Sequence, residues 1–127
     1  MAARDWTPPW QTVTAGKPML ARDWAHAVAP FGPSGIVRAE VALWLRPHLE
    51  TLHDALLALP PDTRAAERVG AALVRRGLDD PDVLAASVAV LGERLLPELG
   101  LDEVTFAGPL HILLGALAAG YARALMG

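Results

Sequence analysis

Apolar residues recur every three or four positions along most of this chain, a period that predicts helices rather than strands. Leu20, Trp24, Ala27 and Val28 mark a first short helix, with Pro18 suited to its N1 position and Pro30 ending it. The turn Phe31-Gly32-Pro33-Ser34-Gly35 follows. Val37, Val41, Trp44, His48, Leu52, Leu56 and Leu59 then draw one stripe along the longest predicted helix. Pro47 removes one backbone donor there, but the stripe continues in phase, so a kink is expected rather than a break. Pro60-Pro61 ends this helix.

Three further helices have readable ends. Asp62 or Thr63 caps one whose inner face is Ala66, Val69, Gly70, Leu73 and Val74, and Gly77 is its natural C′ residue. Asp80, Pro81 and Asp82 open the next, with Val83, Leu84, Ser87, Val88, Leu91 and Leu95 inward and Pro97 with Gly100 closing it. Asp102 caps the last, although Gly108-Pro109 allows a later start, and Phe106, Leu110, Leu113, Leu114, Leu117, Tyr121 and Leu125 keep its period. Residues 1–18, with Trp6, Pro8, Pro9, Trp10, Gly16 and Pro18, show no period and read as an extended arm. The expectation is an all-α domain over residues 19–127: a four-helix bundle with an additional short N-terminal helix and the extended N-terminal arm.

Composition narrows the function. A chain of 127 residues suits one domain. Its hydrophobic fraction of 53% and mean hydropathy of +0.30 are high, which points to an apolar contact or ligand surface beyond the core. The net charge is −3 and the arginines look scattered along the sequence, so no nucleic-acid partner is expected. Zero Cys excludes disulfides, thiolate metal sites and Cys nucleophiles. The start Met1-Ala2-Ala3-Arg4-Asp5-Trp6 lacks the apolar core of a signal peptide, and a cytoplasmic location is expected. Val104 to Ala122 contains no Asp, Glu, Lys or Arg and is long enough to span a bilayer. Gly108, Pro109, His111, Gly115 and Gly120 dilute it, so a buried helix is expected and no membrane partner.

Candidate chemistry is sparse. Glu50-Thr51-Leu52-His53 has Glu-x-x-His spacing, but a di-iron bundle needs a second copy, and Asp23-Trp24-Ala25-His26 is only a weaker relative. No metal site is expected. Ser34 and Ser87 lie in neither a nucleophile elbow nor beside a sequence-local base, so no catalytic residue is assigned and an enzyme is not expected. His48 and His111 fall on apolar stripes, where each is either a satisfied core histidine or a polar group in an apolar pocket, with haem ligation as one version of the latter. Trp24, Trp44 and Tyr121 complete a candidate ligand pocket between helices. On the last helix, Gly115 with Ala119, and Ala116 with Gly120 and Ala124, set small residues four apart, either for tight packing within the bundle or for a dimer or signalling seam.

Five segments carry a resemblance: Ala21-Arg22-Asp23-Trp24-Ala25-His26-Ala27, Arg38-Ala39-Glu40, Val69 to Val74, Leu91 to Pro97, and Leu114 to Leu125. In order and spacing, residues 20–125 resemble the N-terminal helical region of actinobacterial diguanylate cyclase/phosphodiesterase proteins, the GGDEF–EAL signalling multidomains. The resemblance implies a sensory or dimerising input module of cyclic di-GMP signalling, a homodimer whose last helix continues toward an effector domain. Neither a GGDEF nor an EAL motif is present, so no enzymatic role carries over. The expected function is a regulatory input domain with a candidate small apolar ligand; the alternative is a ligand-free protein–protein interaction bundle.

Overall fold

The computed structural model describes the backbone of residues 9–127 and the side chains of residues 16–127. Among the described residues, five α-helices surround one core: α1 (Pro9–Val28), α2 (Arg38–Leu57), α3 (Thr63–Arg75), α4 (Pro81–Leu99) and α5 (Glu103–Met126). A 3-10 turn, Ala29–Phe31, follows α1. No strand occurs among the described residues.

The helix ends follow local chemistry. The side chains of Asp62, Asp80 and Asp102 accept from the backbone N–H of Ala65, Asp82 and Thr105, which satisfies donors that the first helical turn leaves open. Gly77 and Gly100 take positive φ (94° and 68°) just after α3 and α4, a conformation that side chains disfavour. The following amides close the ends: Leu78 N–H donates to Leu73 O at 3.0 Å, and Leu101 N–H to Leu96 O at 2.9 Å. Helix α4 carries Pro97 in its last turn and closes at Gly100 as expected, and α2 runs unbroken through Pro47.

Two expectations change. The first helix is neither short nor preceded by an arm as far as residue 18: α1 begins at Pro9 and carries Pro18 inside it. Residues 1–8 lie outside the described residues. What sequence periodicity lacked here, docking supplies, because Gly16 is buried against the Glu98 carbonyl of α4. Leu20, Ala21, Trp24, Ala25 and Val28 are core residues, so α1 is a full member of the bundle.

The second change is on α2. Its buried track is Val41, Ala42, Leu45, Leu49, Leu52, Ala55 and Leu56; Val37 and Leu59 are exposed, and Trp44 and His48 are half-buried. Both tracks have helical spacing. Burying Leu45 and Leu49 in its place limits the desolvation of the His48 imidazole and gains about 1.5–3 kcal/mol per leucine.

The closest helix pairs are not sequential neighbours: α3 packs on α5 and α1 on α4. At the α3–α5 crossing two backbones nearly touch. A Cβ on Gly70 would fall on the Leu117 carbonyl and the Tyr121 amide, and a Cβ on Gly120 on the Glu67 backbone. Gly92, by contrast, would meet only Leu114 Cδ1, at an ordinary 3.5 Å. Gly70→Ala and Gly120→Ala should therefore each destabilise by about 1–3 kcal/mol through overpacking. Gly92→Ala should be neutral or stabilise by up to about 1 kcal/mol through helix propensity. Chemical denaturation of the three variants measures the contrast.

Candidate functional site

The five candidate pocket residues separate in the fold. Trp24 is fully buried on α1, and its indole Nε1 donates to Ser87 Oγ on α4 at 2.8 Å. Tyr121 is fully buried on α5, with its hydroxyl 2.6 Å from Leu78 O and 2.7 Å from Asp80 O. One proton shared between those carbonyls pins the α3–α4 connection to α5. Burial, followed by the Asp79 and Asp80 carboxylates, pushes the phenol pKa up to about 12, so the group stays a donor. Both aromatics belong to the packed core with their polar atoms engaged.

Trp44 and His48 do come together. Their rings meet edge to face with centroids 4.6 Å apart, and the Arg76 guanidinium lies 5.5 Å from the Trp44 centroid. Trp44 and Arg76 border a shallow cleft of about 200 Å³ with the turn 33–37, Glu40 and Leu78. His111 is elsewhere, exposed on the outward side of α5. The pieces of the Glu-x-x-His spacing are also separately engaged: Glu50 pairs with Lys17 at 2.9 Å, and Asp23 with Arg94 at 2.9 Å. Among the described residues no three His, Asp or Glu side chains group closely enough to hold a metal ion.

The small residues of α5 split between two faces. Gly120 is buried under α3, Ala116 packs against the core and Ala124 is half-buried. Gly115 and Ala119 point away from the bundle, and nothing lies within 4 Å of a Cβ on Gly115. With them, Gly108, His111, Ile112 and Ala122 recur at three- and four-residue spacing on the side opposite Leu113, Leu117 and Tyr121. Val104 and Met126 extend this exposed face at either end. Only Glu103 and Arg123 are charged in the whole helix.

The expectation of a buried last helix therefore holds for one face only. Helix α5 is long and apolar enough to cross a membrane, and just 28% of its most apolar window is buried here. The periodicity had shown the inner face because Leu and Phe dominate it; the outer face is weaker in sequence, being built of Gly and Ala. A second feature escaped the sequence reading. Arg64, Arg68 and Arg75 lie at i, i+4 and i+11, a spacing that sets them on one strip of α3.

Two measurements follow from the core polar groups. Tyr121→Phe leaves the Leu78 and Asp80 carbonyls without their donor and should cost about 1–3 kcal/mol on denaturation. Burial pulls the His48 imidazole below its ordinary 6.5. The unfolded chain then takes up the proton first as pH falls. Stability from neutral His48 is full above 6.5 and is lost as the pH drops through the lower folded value. His53 shifts the same way, through burial and then the Lys17 charge. The melting temperature should fall between about pH 7.5 and about pH 5.5, and less steeply in His48→Gln. Compared with family models, curated proteins and solved structures, the chain matches none of them.

Proposed function

We propose that this chain is a non-catalytic association module that pairs with a second copy of itself through the outward face of α5. The observation that carries this reading is that face itself: apolar, exposed and uncharged between Glu103 and Arg123. Ile112 projects from it beside Gly115 and Ala119, whose lack of bulk lets a second helix approach closely. A face without charge of either sign is also self-compatible, as a two-fold contact requires.

The cyclic di-GMP context comes from the sequence resemblance over residues 20–125 alone. On that reading the module is the regulatory input region of such a protein, and α5 is the element that passes association on to an effector domain. The ligand-free form is the one the geometry favours, because Trp24 and Tyr121 fill the core and use their polar atoms there. A purified sample is expected to carry no bound small molecule.

Sedimentation equilibrium tests the pairing. The wild-type chain should dimerise, and Ile112→Glu should shift it to monomer with an unchanged far-ultraviolet circular-dichroism spectrum, since Ile112 is already 50% exposed in the protomer. A wild-type chain that stays monomeric at high concentration removes the reading. Flotation of the wild-type chain with liposomes would assign the same face to a bilayer instead.

A further inference from the structure

A second surface runs along the seam between α3 and α5. Arg64, Arg68, Ala71 and Arg75 share one strip of α3, and α5 contributes Arg123 from the other side. Between them lies a groove of about 470 Å³ whose floor is Ala71, Gly120 and Ala124. Among the described residues Glu67 is the one acid in its lining, and it is already paired with Arg123. Among the described residues no ion pair is recorded for Arg64, Arg68 or Arg75. Guanidinium groups one turn apart repel each other, so the strip is a local cost to the fold. It is also a concentration of positive charge in a chain whose net charge is −3.

We propose that this groove docks an acidic helical segment of a partner protein. Carboxylates of that segment pair with Arg64, Arg68 and Arg75, and its small apolar side chains rest on Ala71, Gly120 and Ala124. Length selects the class of ligand. Arg64 and Arg75 are separated by about 16 Å at the helical rise of about 1.5 Å per residue, too far for one small anion to bridge. The occupant is therefore an elongated polyanion.

Chemistry then selects a peptide over a nucleic acid. Among the described residues no aromatic side chain lines the groove, so bases find no stacking platform there. The apolar floor of Ala71, Gly120 and Ala124 suits peptide side chains better than a phosphate backbone. Guanidinium forks grip carboxylates and phosphates alike, two bonds at a time, so the apolar floor makes the choice. This surface is distinct from the outward face of α5, and the proposal does not depend on self-association.

Fluorescence anisotropy with a labelled probe peptide tests it: glutamates at i, i+4, i+7 and i+11 on an alanine background. Wild-type protein should bind the probe saturably, and more weakly as salt is raised. The double reversal Arg64→Glu with Arg68→Glu should weaken binding by at least about tenfold. The charge-matched control Arg22→Glu with Arg46→Glu, on α1 and α2, should leave it unchanged. A labelled oligothymidylate should bind more weakly than the peptide. Absence of saturable binding, an equal loss in the control, or tighter binding of the oligothymidylate overturns the proposal. Circular dichroism checks the fold of each variant, and Arg64→Gln with Arg68→Gln repeats the test should the reversal unfold the chain.

Discussion

The close approach of α3 and α5 governs the rest of this structure. Gly70 and Gly120 let the two backbones meet where any side chain would hold them apart. That contact commits one side of α5 to the bundle, with Leu113, Leu117 and Tyr121 inward, and leaves the opposite side in solvent. It also sets the floor of the arginine groove, because Gly120 lies at the crossing itself. Both surfaces argued to carry function are thus by-products of one steric constraint.

Two buried polar contacts lock the arrangement around that crossing. Tyr121 holds the carbonyls of the α3–α4 connection, and Trp24 reaches Ser87 to join α1 to α4. Each satisfies a polar atom that would otherwise be buried at a cost, and each defines one register of packing. These aromatics look like pocket residues in sequence because a core aromatic and a ligand-contacting aromatic share the same spacing. Inside the bundle their donors have partners on neighbouring elements, so both aromatics serve the packing.

The candidate site was legible in part. Gly115 and Ala119 were visible as a small-residue pair, and they do face outward; Gly120, of the same pattern, faces the other way. A four-residue repeat says that residues share a strip but not which neighbour the strip meets. The arginines were harder still. Three of them have a readable spacing on α3, but Arg123 comes from a helix far along the chain, so the groove exists only once the two helices cross.

The sequence alone determined the helical class, most of the helix ends and the identity of most core leucines. Those features depend on interactions within a turn or two: Asp62, Asp80 and Asp102 capping the next amides, Gly77 and Gly100 accepting positive φ, and apolar residues returning every three or four positions. Only the tertiary structure decided that Pro9 to Pro18 joins α1, that Leu45 and Leu49 outrank Trp44 and His48 for the core, and that Gly70 meets α5. Each of those outcomes depends on the shape of a second helix. Local chemistry carries no information about the surface against which a helix will be pressed.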